Sequence, residues 1–416
     1  MINLKFEVPK PGEGSYIDFQ VREGGPQVSV KFWPLKFLWM LVLGAWCFSV
    51  AGQEQLSDPA TNSVALSATN GPAGRSVSIR PVSLIRSGPS ADSLLSKPDE
   101  WFRSEAGRTA TTNVLSWQSP IGDWPSNTRT PAAPFDGNRE KLRGNFDNGA
   151  TTGELRFLAK AFRVAQDTNC ESAFLKGLDL ILKAQYPTGG WPQNYPPDEQ
   201  YHRHITFNDN AMIRLMKFLS DVATSSNYAF VDEARRKAAQ VAFDRGIECI
   251  LQCQIKVDGK LTVWCAQHDE LDYSPRSGRK FELVSLSGSE SAGILGLLMS
   301  LDNPSPEVAR AINAGAAWFE TAKLKGIRFE RNRTDGVVIE DTNAPPIWAR
   351  FYEIESNRPI FSGRDSIKKY SVAEIELERR RGYSWYGPWG DDVATQYSRW
   401  KKKWSKLANE QSEKSR

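Results

Sequence analysis

The chain has 416 residues, too many for a small disulfide-stapled scaffold and enough, at roughly 100 to 200 residues per domain, for one large domain or several. With 40% apolar and 25% charged residues it has the composition of an ordinary globular protein, and 53 basic against 49 acidic side chains leave a net charge of only +4, which excludes a strongly basic nucleic-acid binder. Its 14 Trp, 11 Tyr and 20 Phe supply abundant flat aromatic surface, suited both to core packing and to stacking on sugar rings.

In chain order, the first feature is an apolar run at residues 37–50, preceded by Lys31 and Lys36 and followed by Ser49-Val50-Ala51, with small residues at the −3 and −1 positions of a cut after Ala51. Fourteen apolar residues are too few to span a bilayer comfortably, so residues 1–51 read as an N-terminal extension and secretory signal, which places the mature protein outside the cytoplasm, secreted or periplasmic, with no stable membrane span. About thirty mostly polar residues precede the run, so either translation begins further in, for example at Met40, or the segment is an unusual extension. Residues 52–97 are rich in Ser, Pro, Gly, Ala and Thr without apolar periodicity and read as a disordered linker. The working domain is expected over 98–416.

Within it, apolar residues recur at helical spacing over 101–117, 152–164, 172–184, 212–222, 233–251, 290–300 and 307–322, which predicts a mainly α domain. Two segments end alike: Trp117-Gln118 through Trp124-Pro125 aligns without a gap on Ala184-Gln185 through Trp191-Pro192, and Cys253-Gln254 precedes Trp264 less regularly. Gln118 and Gln185 stand 67 residues apart, Gln185 and Gln254 stand 69 apart. A period near 68 with two helices per unit describes a helical hairpin that must stack on its neighbours to bury its apolar face. About three such repeats, with irregular and short β-containing insertions, predict an α/α toroid.

The second helix of each unit also begins alike, at Phe146-Asp147-Asn148, Phe207-Asn208-Asp209-Asn210 and Ser287-Gly288-Ser-Glu290. Asp, Asn and Ser in these places cap free backbone N–H groups. Acidic starts meeting at one rim of a toroid would also repel one another unless cations compensated. Oxygen-rich clusters of this kind suit Ca²⁺ or Mg²⁺, and Asp147 and Asp209, with Asn148 and Asp269 nearby in the repeat register, are the candidate ligands. The Cys249/Cys253 spacing is no zinc-finger pattern, and with Cys170 and Cys265 these residues read as buried thiols. Only three His are present, and there is no Gly-x-Ser-x-Gly, Walker or dinucleotide loop, which disfavours acyl transfer and nucleotide chemistry. Arg279, Arg350 and Arg364 stand in contexts where guanidinium forks could grip carboxylates. A cation site, carboxylate-binding arginines and aromatics together describe a groove for an acidic polysaccharide.

Seven separated strings then resemble the pectate lyases of polysaccharide lyase family 10: Asn113 through Pro125; Phe146-Asp147-Asn148-Gly-Ala-Thr-Thr; Gly189-Gly-Trp191-Pro-Gln-Asn-Tyr-Pro; Ile205-Thr-Phe-Asn-Asp209; Trp264-Cys-Ala-Gln-His268-Asp269; Arg279-Lys-Phe-Glu with Ser285-Leu-Ser-Gly288; and Arg350-Phe-Tyr-Glu with Gly363-Arg364-Asp365. The resemblance covers residues 101–389. It implies an α/α toroid with irregular extra segments, Ca²⁺ use and anti β-elimination on polygalacturonate; a monomer is expected. Asp147 and Asp209 are then the calcium ligands, Arg279 the base, and Arg350 and Arg364 the substrate-gripping arginines; Asn148 and Trp191 are further candidate substrate contacts. Two departures are visible. Ser126 follows Trp124-Pro125 where the family leads one to expect Lys, and Asn210 follows Asp209 where a second acid or Gly is usual.

The base assignment carries a chemical difficulty, because a free guanidinium has a pKa above about 12 and acts as a base only if its pKa is depressed. The alternative is that Arg279 merely neutralises charge. Two other functions fit parts of the pattern: an inverting glycoside hydrolase using Asp147 and Asp209 as acid and base, and a non-catalytic polysaccharide-binding protein, against which the three arginines argue.

Overall fold

Serine and aspartate caps set where half of the ten described helices begin, as their side-chain oxygens accept from backbone N–H groups that the helix itself leaves unpaired. The structure, a computed structural model, describes residues 85–414 together with one antiparallel strand pair, Ile17–Asp18 with Lys31–Phe32. The chain divides into two units, Met1–Val77 and Ser78–Arg416. The apolar run at 37–50 and the linker up to residue 84 lie outside the described residues.

The second unit contains ten helices among the described residues: α1 Asp99–Arg103, α2 Glu105–Ser116, α3 Thr152–Ala165, α4 Thr168–Ala184, α5 Ala211–Thr224, α6 Glu233–Cys253, α7 Gly288–Met299, α8 Pro306–Ala322, α9 Leu377–Gly382 and α10 Trp389–Lys414. Ser104 caps α2 and accepts from Gly107, Asp232 caps α6 and accepts from Arg235, and Ser305 precedes Pro306 at the first turn of α8. Ser104 also splits the expected 101–117 helix in two. Helix α10 has no counterpart in the apolar pattern, because Arg399, Lys401, Lys402 and Lys403 interrupt it, yet it buries Val393 and Trp400 against the core. Residues just ahead of Pro98 correct the linker boundary drawn at residue 97: the turn Asp92–Ser96 packs on α3 and buries Leu94, and Lys160 Nζ donates to the carbonyls of Leu95 (3.0 Å) and Lys97 (2.6 Å).

Three hairpins, α3/α4, α5/α6 and α7/α8, supply two rows of packed helices. In one row α2, α4, α6 and α8 follow one another; in the other α3, α5 and α7 do, with α10 packed on α7 and α8. The repeated Gln stitches the first row together. Gln118 Nε2 donates to the carbonyls of Gly122 and Ala173, Gln185 Nε2 to those of Gly189 and Ala242, and Gln254 Nε2 to those of Thr262 and Ala311. Each Gln thus closes its own turn and reaches the next hairpin's helix. The repeated Trp is equally structural, since Trp124, Trp191 and Trp264 are wholly buried and donate Nε1 to Val114, Ile181 and Ile250 carbonyls at 2.7–2.9 Å. Trp191 therefore presents no ring face to a substrate, which corrects its assignment as a sugar contact.

Short strands hold the irregular insertions. Ile205–Thr206, Gln267–His268 and Pro275–Arg276 form one small sheet, and Phe351–Tyr352 pairs antiparallel with Leu286–Ser287, the residues that lead into α7. This pairing carries Arg350 to the start of α7, where the Gly288 N–H donates to the Arg350 carbonyl at 2.8 Å. Beside the main core a smaller cluster of Phe281, Phe351, Phe361, Tyr383 and Trp385 forms a floor under that junction. Cys170, Cys249, Cys253 and Cys265 are buried thiols, unpaired among the described residues.

Candidate active site

Two of the repeated helix starts are superimposable in backbone conformation. Asn148 (φ 51°, ψ 28°) and Asp209 (φ 50°, ψ 28°) both adopt the left-handed conformation that Asn and Asp tolerate better than other non-glycine residues. The preceding pair, Asp147 and Asn208, occupies the equivalent position after a buried Phe, Phe146 or Phe207. Carboxylate and amide have therefore exchanged places between the two repeats. In each loop the amide donates to its neighbour's carboxylate, Asn148 Nδ2 to Asp147 Oδ2 at 2.9 Å and Asn208 Nδ2 to Asp209 Oδ2 at 3.1 Å. Asn210, which departs from the expected pattern, turns its amide onto Gly293 of α7, where no side chain would fit.

The Asp147 carboxyl is pushed above its ordinary value by burial and by the Asp209 charge, with Arg279 pulling it back. Its Oδ1 is buried and has no hydrogen-bond partner. Two carboxylates within Coulombic reach, one of them with an orphaned oxygen, flanked by two amides, make a donor set that fits a hard divalent cation.

Two guanidinium groups face this pair. Arg350 is almost fully buried, and its Nη2 donates to Asp209 Oδ1 at 2.9 Å and also to Glu290 Oε1; Ser287 Oγ holds the other Glu290 oxygen. Arg279 is more open. Its Nη2 donates to Glu282 Oε1 at 2.5 Å and its backbone N–H to Glu282 Oε2 at 2.9 Å. Tyr383 packs against both: the Arg350 and Arg279 guanidinium carbons stand 4.7 and 5.6 Å from its ring centroid, and its hydroxyl donates to Glu282 Oε1 at 2.7 Å. Burial works to lower the Arg279 pKa, but the hydrogen bond and charge of Glu282 outweigh it and hold the guanidinium above its ordinary value. Arg350 is raised likewise, burial being overcome mainly by Glu290. Both arginines are cations in the ligand-free protein.

Asp147, Asn148, Asp209, Arg279 and Arg350 are thus brought together. Arg364 stands apart in its contacts, an exposed guanidinium on Glu378 at 3.0 Å. Asp269, considered as a further ligand, is taken by Arg276 at 2.9 Å. It lies with His204 and Glu270, the one group of three or more such ligand atoms among the described residues, within 4.8 Å of one another, and Arg203 and His204 already engage Glu270. Sequence reasoning gave no role to Glu282, although it stands three residues after Arg279 in a quoted string, nor to Tyr383 and Tyr201. Tyr201 is a half-buried ring close enough to Arg279, Glu282 and Asp147 to feel their charges, and no sequence motif marks it.

A family model described as pectic acid lyase matches residues 118–394, and the chain belongs to that family. Among solved structures it is similar to the family 10 polysaccharide lyase from Cellvibrio cellulosa and to a mutant of that enzyme in complex with trigalacturonic acid. Each is 35% identical with a TM-score of 0.66, each covers 71% of this chain, and the chain covers 92% and 93% of them respectively. No curated protein matches the chain.

Proposed function

We propose that this protein is a pectate lyase that cleaves polygalacturonate by calcium-assisted anti β-elimination, leaving a 4,5-unsaturated sugar at the new end. The observation that carries the reading is the facing of two carboxylates, Asp147 and Asp209, by two guanidiniums, Arg279 and Arg350, across one rim of helix starts. Its two rows of helices are read as an α/α toroid, and the mature protein as a secreted or periplasmic monomer whose working domain follows a signal and linker. Among the described residues no helix is long and apolar enough to cross a membrane.

The chemical problem is removal of the C5 proton beside a uronate carboxylate. Asp147 and Asp209 would hold Ca²⁺, with Asn148 beside them, and the ion when bound supplies positive charge that neutralises the substrate carboxylate and acidifies C5–H. Arg350, fixed by Glu290 and Asp209, adds a second positive charge to the same carboxylate, and Arg364 would release Glu378 to grip a neighbouring uronate. Arg279 takes the C5 proton; the C5 electron pair forms the C4–C5 double bond, the C4–O4 bond breaks, and the leaving oxygen gains a proton from solvent. Glu282 holds Arg279 protonated in the free protein, so the base would become competent only where a cation at Asp147 and Asp209, together with Arg350, lowers its pKa and pH rises into the alkaline range. A hydrolase reading draws some support from the raised Asp147 carboxyl beside Asp209, but family membership favours elimination, and the product distinguishes them by its ultraviolet absorption.

The test is an assay on polygalacturonate with Ca²⁺ and in excess EDTA, for the wild type and Asp147→Ala. Turnover is expected to vanish in both the chelated enzyme and the variant, with helical circular dichroism retained, because apolar packing between hairpins holds the fold. Full activity with Ca²⁺ shown to be absent overturns the metal assignment, and loss of helical signal in Asp147→Ala returns that residue to a structural cap.

A further inference from the structure

Next to the paired carboxylates opens a cleft of about 600 Å³ that the chemistry above does not use. Asn148 and Gly149 form its near edge, and the Arg214 guanidinium lies over Gly149, where an added side chain would meet Arg214 Nη1 at 3.4 Å. Arg214 and Lys217, three residues apart on α5, are both exposed, and Arg86 and Arg129 stand exposed on the cleft's other segments. None of these four has a carboxylate partner among the described residues, whereas Arg156, also on the wall, is held by Asp221 at 2.5 Å. The acids of the cleft, Asp92 and Glu154, do not balance them, and Glu154 is buried with one oxygen on Thr130 and the other unpartnered. Unpaired cations lining a concave surface focus a positive potential and raise the local concentration of an anionic ligand. Guanidinium forks among them match carboxylates in shape.

We propose that this cleft is a binding site for uronate carboxylates of the polysaccharide beyond those at the scissile bond, gripped by Arg86, Arg129, Arg214 and Lys217. The proposal rests on the pectate lyase reading, since a chain with a carboxylate on every sugar is the polyanion that leaves Asn148 and meets cations immediately. It makes the enzyme prefer long galacturonans over short ones.

The full-length protein and an Arg214→Ala/Lys217→Ala variant are compared on trigalacturonate and hexagalacturonate, following unsaturated product. The wild type is expected to favour the hexamer in kcat/KM, and the hexamer-to-trimer ratio to fall about 3- to 10-fold in the variant, the size of two partly exposed ion pairs. The charge-keeping Arg214→Lys/Lys217→Arg variant retains most of the ratio. An unchanged ratio in the alanine variant overturns the cleft. If the wild type forms no unsaturated product from either oligomer, the lyase reading fails instead, and calorimetry with hexagalacturonate in EDTA decides the cleft. Weaker hexamer binding by the alanine variant than by wild type supports it; equal affinity, or no wild-type binding, overturns it.

Discussion

Glu282 decides how Arg279 can act, because it offers both carboxylate oxygens to that one residue while Tyr383 donates to the same Oε1. If Arg279 removes the proton, its loss falls on the transition state, so Arg279→Lys and Arg279→Ala should both lower kcat by several orders of magnitude with little change in KM. Arg350→Lys should retain measurable turnover and saturate more weakly. Glu282→Gln supplies a separate check: removing the charge that raises the Arg279 pKa should move the alkaline rise of kcat to lower pH. A profile that stays in place would leave Arg279 as a charge neutraliser. Glu154 offers a stability test of the same kind. Burial pushes its carboxyl from about 4.5 up to about 7. As pH rises through that window the unfolded chain loses its proton first, so folded-state stability falls between about 4.5 and 7 and stays lower above it, by about 3 kcal/mol. Glu154→Gln should flatten that part of the melting-temperature profile and be the more stable protein at pH 8.

Among the elements, the repeated motif divides into a structural half and a chemical half. Its Gln and Trp residues, the easiest to align, are spent on closing turns and stapling each hairpin to the next, and their regular spacing reflects the regular pitch of the helices they join. Gln185→Ala should therefore cost about 2 kcal/mol, since it deletes the amide's bonds to the Gly189 and Ala242 carbonyls and removes the oxygen that accepts from Arg245; chemical denaturation would show it as a lower midpoint with an unchanged slope. The helix starts carry the half to which the chemistry is proposed to belong. There the backbone is the conserved quantity between repeats, with φ and ψ at Asn148 and Asp209 almost identical, while the side chains exchange carboxylate for amide.

At the scale of the whole molecule, the working unit begins earlier than composition implies. A chain starting at residue 98 loses Ala91 and Leu94 from the core and both carbonyls that hold Lys160, so it should be about 3 kcal/mol less stable than one starting at residue 85, measured as a drop in melting temperature. The helical class, the period and the acidic helix starts were legible in the sequence because each is a local property: apolar spacing along one helix, or a cap at its first turn. So were Asp147, Asp209, Arg279 and Arg350 as candidates, each embedded in a short string of its own. What required the tertiary structure was which of them meet. Arg350 reaches Asp209, 141 residues away, only because the strand Phe351–Tyr352 pairs beside Leu286–Ser287, and the ring of Tyr383 packs against both arginines from a position no motif marks. Trp191 shows the converse: its residue type suits sugar stacking, but a repeat that packs on both sides leaves its ring no exposed face. Residue identity and local spacing set the chemistry available to this protein, whereas burial and long-range pairing, which depend on how the hairpins and insertions meet, decided where that chemistry is assembled.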